Sequence, residues 1–267
     1  MLSILFIGDI CGKVGRQTVK TILPQLRTSR SIDFVIANVE NAAGGRGVTR
    51  KILLELGGYG IDFFTSGDHV WRNREFLEDL NDDSLPIIRP ANFPDDIVYG
   101  KGYKIVDLGG KGLIAIINLQ GWTYMKELVL DPLRYIDSIL EELNEKDLQA
   151  ILVDFHAEAT SEKAIFGHYA DGRISAALGT HTHIGTVDTK ILPKGTGFVT
   201  DIGMVGPTDS SLWVRKEIAI HNYKYPYKKA FRIQKFGPRV FNSVLMKIVN
   251  MRCDLIERID RIDNNNQ

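Results

Sequence analysis

The chain has 267 residues, 44% hydrophobic and 25% charged, which is the composition of an ordinary globular protein. Lysine plus arginine equals aspartate plus glutamate, 33 each, so a broad electrostatic footprint for duplex DNA is excluded. Two distant cysteines, Cys11 and Cys253, make no disulfide framework, the apolar start Met1–Gly8 lacks the flanks of a secretory signal, and no apolar run approaches the roughly 20 residues that cross a bilayer. The expectation is a cytoplasmic protein without membrane contact, a single domain over residues 1–267.

Leu2–Ile7 is a nearly continuous apolar run ending in Gly-Asp, the pattern of a buried parallel strand. Val14–Leu26 has helical spacing, and Pro24 inside it predicts a kink or an early stop. Ile32–Asn38 reads as a second buried strand. Thr49–Leu56 reads as a helix, capped by Thr49 or a neighbour and stopped by Gly57-Gly58. Ile61–Thr65 is a third strand and Trp71–Leu80 a further helix. Three strand–helix alternations within about 80 residues argue for a parallel sheet with right-handed crossovers.

Pro86–Pro94 is an extended, proline-punctuated stretch. Gly102–Leu108 and Gly112–Leu119 form a hairpin about Gly109-Gly110-Lys111. Asp131–Glu145 is an amphipathic helix with Pro132 near its first turn. Ala150–Phe155 and Ile174–Leu178 are strands with a helix around Glu162–His168 between them. Thr189–Leu192 and Gly197–Thr200 are short strands. Val240–Val249 and Leu255–Ile262 fit a terminal hairpin or helices, and Asn264–Gln267 a polar tail. One mixed sheet, or two stacked sheets, satisfies this pattern.

The chemistry gathers after the strands. Asp9 follows the first, Glu40-Asn41 the second, Asp68-His69 the third; His156 follows the strand near residue 150, and His181 and His183 the strand near 174. Open α/β sheets bind ligands at their carboxyl edge, and these residue types suit divalent ions such as manganese, iron, cobalt, nickel or zinc. Each residue alone has a plainer reading: Asp9 as a helix cap, Glu40-Asn41 as a solvated turn, Asp68-His69 as a surface loop, His156 as a satisfied core residue. His181 and His183 are the stronger local signal, because residues two apart on an extended backbone share a side. Five strand ends carrying metal-competent residues together argue for a metal site.

Gly8-Asp9, Gly67-Asp68-His69, His156 and Gly179-Thr180-His181-Thr182-His183 resemble the successive signature blocks of calcineurin-like metallophosphoesterases. Gly8-Asp9-Ile10-Cys11-Gly12, Asn38-Val39-Glu40-Asn41-Ala42-Ala43-Gly44-Gly45, Arg89–Pro94, Asp154–Lys163 and Thr200–Met204 narrow the likeness to the YmdB-like branch, from Leu2 to about Asp209. In that branch Asp-Ile-x-Gly replaces Asp-x-His and a glutamate replaces a bridging aspartate; both features are present here.

The resemblance implies an α/β metallophosphoesterase-like sandwich of two mixed β-sheets flanked by helices. It implies two divalent ions, iron or manganese before zinc, cobalt, nickel or magnesium. The implied activity is phosphodiester hydrolysis, best known toward 2′,3′-cyclic nucleotides, with a metal-bridging hydroxide as nucleophile. By position, Asp9 and His183 would bind one ion with Asn41 close to it. Asp68, His156 and His181 would bind the other, and Glu40 would bridge them. His69 would face the substrate as acid or charge stabiliser, or else orient Asp9 or a water. The substrate would be a small phosphodiester, a cyclic nucleotide or an RNA end. Two alternatives are a regulatory protein with little turnover and a broad phosphomonoesterase. Apolar, glycine-rich segments leave a homo-oligomer open.

The chain departs from the pattern where the family's Gly-Asn-His reads Gly67-Asp68-His69. The extra carboxylate lowers the formal site charge from about +2 to roughly +1, which favours tighter metal retention and a weaker pull on phosphate. Elsewhere Cys11 reads as a packing residue and His168 as exposed, while His221 has no partner motif. Gly44-Gly45-Arg46-Gly47 lacks the lysine and spacing of a P-loop and fits a flexible wall of the site. The aromatics of Tyr223–Tyr227, with Lys224, Lys228 and Lys229, fit a base-stacking surface or a solvated loop.

Overall fold

The computed structural model describes residues 1–94 and 98–264; the predicted polar tail beyond Asn264 lies outside these described residues. The chain begins β1 (Leu2–Ile7), β2 (Asp9–Ile10), α1 (Gly12–Ser29), β3 (Phe34–Asn38), α2 (Arg50–Gly57), β4 (Phe63–Thr65), β5 (Tyr103–Asp107), β6 (Leu113–Gln120), α3 (Pro132–Leu143) and β7 (Leu148–His156). It continues α4 (Thr160–Ala170), β8 (Ala176–Thr180), β9 (Lys190–Ile191), β10 (Gly197–Val199), β11 (Met204–Pro207), α5 (Lys216–Lys224), β12 (Arg239–Phe241), β13 (Ser243–Val249), β14 (Arg252–Arg258) and β15 (Arg261–Asp263).

Side-chain alternation along the strands builds the layers. Leu2, Ile4 and Phe6 of β1 meet Ile114 and Ile116 of β6, Leu152 of β7 and Leu178 of β8 in a core between two sheets. Those sheets have the orders β14-β13-β1-β3-β4 and β5-β6-β7-β8-β10-β9. The alternate residues Leu5 and Ile7 pack outward against Val19, Leu23 and Leu26 of α1 and Leu53 and Leu56 of α2. On the far face Ile117 and Val153 pack against Ile136, Ile139 and Leu143 of α3 and Phe166 of α4. Each such fully buried side chain stabilises the fold by about 1.5–3 kcal/mol. The arrangement is the expected mixed two-sheet sandwich with helices on both faces.

A third sheet, β15-β12-β11-β2, was outside that expectation. It starts where the chain leaves β1 at Gly8 and pairs Asp9 with Met204 in parallel register, which fixes the Asp9 backbone. Pro24 does not stop α1, which runs on to Ser29. Burial of Leu23 and Leu26 against the sheet outweighs the roughly 3 kcal/mol cost of an internal proline. Trp71–Leu80 is not one helix but three short 3₁₀ turns, Val70–Arg72, Arg74–Phe76 and Glu78–Asn81. The Asn73 side chain accepts the Glu75 amide N–H and so caps the second turn, breaking helical continuity. The carboxyl-terminal segments form a hairpin: β13 and β14 are antiparallel, joined by Asn250 and Met251, both at positive φ as a two-residue primed turn requires.

Candidate metal centre

β1, β3 and β4 are mutually parallel, as are β6, β7, β8 and β10. The carboxyl ends of both sets meet at one edge of the sandwich. Asp9, Glu40 and Asp68 arrive from the first sheet; His156, His181 and His183 arrive from the second. Glu40, Asp68, His156 and His181 form one group whose donor atoms all lie within 4.8 Å of one another, and Asp9, Glu40 and His183 form another by the same measure. Glu40 belongs to both. Two of the plain readings fail here: Glu40 and Asn41 are 1% exposed and so form no solvated turn, and the N-cap of α1 is Cys11, not Asp9.

His181 and His183 do not lie on an extended strand. β8 ends at Thr180, and both histidines have positive φ, 99° and 67°. For residues with a Cβ that is a costly conformation, of order 1–3 kcal/mol each, and such residues concentrate at functional sites. The turn sends His181 to one group and His183 to the other rather than to a shared side. His181 Nδ1 is 3.0 Å from His156 Nε2. His183 Nε2 is 3.1 Å from Asn41 Oδ1 and 3.9 Å from Asp9 Oδ1. Asn41 therefore stands beside the second group, its Nδ2 donating to the Gly45 carbonyl. His69 belongs to neither group; its Nδ1 lies 3.3 Å from Glu40 Oε1 and its ring is part of the cleft wall.

The loop carrying Glu40 is held from beneath. Arg16 of α1 donates to the Ala42 carbonyl at 2.6 Å, and the Gly12 N–H donates to the Asn41 carbonyl. Gly67 is required by close approach: a Cβ there would stand 2.1 Å from Glu40 Oε2 and 2.3 Å from His156 Nε2.

A cation fits these donors. Asp9 Oδ1, Asp68 Oδ1 and His183 Nδ1 are buried and have no hydrogen-bond partner among the described residues, a costly arrangement unless something else satisfies the site. Carboxylate and imidazole together are the donor set of borderline divalent ions.

Electrostatics point the same way. Burial, helped by the charge of His156, pushes His181 down to about 4, and burial pushes His183 down to about 4, so both imidazoles are neutral at neutral pH with lone pairs available. Burial opposes the charge on His156, yet Glu40 and Asp68 overcome it and hold its pKa well above the usual value. Burial likewise opposes ionised Glu40, but His156 and His69 keep its pKa well below the ordinary range. Burial dominates at Asp9 and raises its pKa well above the ordinary one. Both shifts run in the direction that offsets the negative charge of a site dense in carboxylates.

Two supporting networks escaped the sequence reading. Thr180 Oγ1 donates to Asp154 Oδ1 at 2.6 Å and is 2.8 Å from His156 Nδ1, so it accepts the imidazole N–H and leaves His156 Nε2 facing Glu40 and His181. Asp154 is anchored further by Asn38 Nδ2 and Thr65 Oγ1. The second is the fully buried pair of Lys163 and Asp201, 2.7 Å apart. Asp201 also accepts from Thr182 N, Thr182 Oγ1 and Gly203 N, which clamps the residue between the two histidines. The signal of the first was faint, polar residues within buried strands, and the second joins a helix residue, Lys163, to a loop residue, Asp201. Glu158 was also missed; its Oε2 lies 3.2 Å from His181 Nε2.

Above the groups opens a cleft of about 390 Å³, lined by Glu40, Asn41, His69, Glu158, His181 and His183 below and by Leu212, Trp213, Val214 and Phe231 above. Trp213 sits against Gly45, so the glycine-rich loop abuts the roof. His168 is exposed as expected, and Cys11 is a buried packing residue. His221 does have neighbours, the rings of Tyr225 and Tyr227.

A sequence profile of the YmdB-like protein family matches residues 5–261. The chain belongs to the YmdB-like family. Over 261 residues it is 44% identical to the 2′,3′-cyclic-nucleotide 2′-phosphodiesterase of Bacillus subtilis strain 168, an overlap covering 98% of this chain and 96% of that protein. The crystal structure of a hypothetical protein from Thermus thermophilus is similar with a TM-score of 0.90 at 35% identity, covering 98% of this chain and all of that one. A novel phosphatase from Mycoplasma pneumoniae gives 0.91 at 29% identity, covering 99% and 94%. The fold is that of a metallophosphoesterase-type phosphatase. Among the described residues, no helix is long and apolar enough to cross a membrane.

Proposed function

We propose that this chain is a metal-dependent phosphodiesterase that hydrolyses 2′,3′-cyclic nucleotides or related phosphodiesters. The observation that carries the reading is the pair of donor groups sharing buried Glu40 at the floor of a nucleotide-sized cleft. Asp68, His156 and His181 would hold one divalent ion, Asp9 and His183 the other, with Asn41 beside the second and Glu40 between them. When bound, such ions polarise phosphate oxygens and make water acidic enough to react near neutral pH.

The protein's own groups do the rest. Thr180 and Asp154 fix the tautomer and direction of His156. Asp201 and Lys163 fix the turn that aims His181 and His183. His69 is raised above the ordinary imidazole value, because Glu40 and Asp68 outweigh its burial. From the cleft wall it can place a proton on the departing alkoxide, a contribution of roughly 10²–10⁴ for a positioned acid. The B. subtilis relative's activity supports the substrate class.

The test is metal analysis of the purified protein together with hydrolysis of 2′,3′-cyclic AMP and bis-p-nitrophenyl phosphate, wild type beside His156→Ala. The wild type retains metal and cleaves both; the variant loses metal and falls by more than the roughly 10–100-fold that outer partners are worth. Metal retention without turnover across several ions overturns the enzymatic reading in favour of a regulatory one.

A further inference from the structure

The roof of the cleft carries a charge that the chain as a whole does not. Residues 208–238, the excursion between β11 and β12, hold seven lysines and arginines against two acids, whereas the full chain balances 33 against 33. No residue of α5, which lies in this excursion, is buried. Salt bridges take up Arg215 with Glu217 and Lys216 with Asp209. Lys224, Lys229, Arg232 and Lys235 have no carboxylate partner among the described residues.

The backbone sorts this segment into two faces. Val214 and Ile233 pair in an antiparallel bridge, and the Arg215 N–H donates to the Arg232 carbonyl. Val214 and Phe231 line the cleft. Their chain neighbours Arg215, Ala230 and Arg232, with Glu217, Ile218 and Lys229, line a separate cavity of about 430 Å³. Phe231 is 60% exposed at the rim, and Tyr223 is 96% exposed. The cleft itself lies near the lower end of the roughly 300–1,000 Å³ of small-ligand sites, room for about one nucleotide. A basic groove with exposed aromatic rings is how proteins hold single-stranded nucleic acid without reading sequence.

Resting on the phosphodiesterase reading above, we propose that the substrate is the 3′ end of a single-stranded RNA bearing a 2′,3′-cyclic phosphate. The terminal nucleotide enters the cleft. The preceding phosphates cross the basic outer face of the roof, and Phe231 and Tyr223 offer stacking faces to preceding bases. Water adds to phosphorus, the P–O2′ bond breaks and the 2′ oxygen takes a proton, leaving a 3′-phosphomonoester end. A second copy of the chain is a poor occupant of this face, because a two-fold interface sets the patch against itself and brings like charges together.

The experiment compares kcat/KM for 2′,3′-cyclic AMP and for a pentaribonucleotide ending in a 2′,3′-cyclic phosphate, in wild type and in the Lys229→Glu/Arg232→Glu/Lys235→Glu variant. Fluorescence anisotropy of a labelled pentamer reads binding apart from turnover. At 50 mM salt the wild type prefers the pentamer by about tenfold or more, and the preference shrinks toward 200 mM as phosphate contacts are screened. The variant loses that preference and the anisotropy signal but keeps its rate on the mononucleotide. Equal kcat/KM for the two substrates, an equal loss on both, or a change in the variant's solution mass overturns the inference; so does displacement of the pentamer by anionic vesicles. Failure to cleave cyclic AMP, with pentamer binding intact and roof-dependent, overturns the phosphodiesterase reading instead.

Discussion

The floor and the roof of the cleft are built on opposite principles. The floor is a set of strand ends: Asp9, Glu40, His156 and His183 are buried, Thr180 backed by Asp154 holds His156, and Asp201 paired with Lys163 holds Thr182 between His181 and His183. The roof is a long excursion with an exposed helix, little core and a concentration of positive charge. Chemistry that needs donors fixed to a few tenths of an ångström sits where the sheets supply rigidity. Contacts that need only charge and aromatic area sit where the chain is free to vary.

The sharpest way to break this comparison is at Lys163. Lys163→Met leaves Asp201 buried and unpaired, so unfolding free energy falls by about 3–5 kcal/mol. Metal affinity falls with it, because the turn between His181 and His183 loses its clamp. Chemical denaturation and metal titration measure both, and unchanged metal affinity would remove the clamp from the account. Next is Thr180→Val, which frees His156 Nδ1 and removes the donor to Asp154 Oδ1, while Asn38 and Thr65 still donate to Oδ2. Metal affinity then drops roughly 10–100-fold with folding largely kept, as isothermal titration would show.

Asp68→Asn has a smaller effect and divides binding from turnover. Removing one carboxylate weakens metal retention but raises kcat several-fold at saturating metal, since the site pulls harder on phosphate; slower turnover would refute the charge argument. The last effect is pH dependence. The folded-state pKa of His156 is raised, so the stability it lends the metal-free protein is present below the ordinary imidazole value of about 6.5 and is lost as pH rises through the higher folded value. Asp9, also raised, acts in the same direction. Metal competes with protons at both groups, so the Tm gap between metal-loaded and chelator-treated protein widens as pH rises. A gap that narrows would contradict the assigned protonation states.

The residues proposed as ligands were legible because each follows an apolar run, and buried parallel strands leave few other places for Asp9, Glu40 or His156. The two-sheet sandwich was legible for the same reason. The route by which His181 and His183 diverge was hidden, since positive φ at two histidines follows from tertiary hydrogen bonds through Asp201 and not from local preference. Trp71–Leu80 misled in a similar way: Val70, Phe76 and Leu80 are buried, but Asn73 breaks the segment into turns. Roof residues such as Trp213 carried no signal, because their role depends on a fold-back that brings them over Gly45.

The proposed chemistry requires two cations gathered around one shared glutamate, Glu40. Anomalous diffraction from a crystal of the manganese-loaded protein measures that directly. Two peaks are expected, one touched by Glu40, Asp68, His156 and His181 and one by Asp9, Glu40 and His183. A single peak, or peaks away from Glu40, would contradict it.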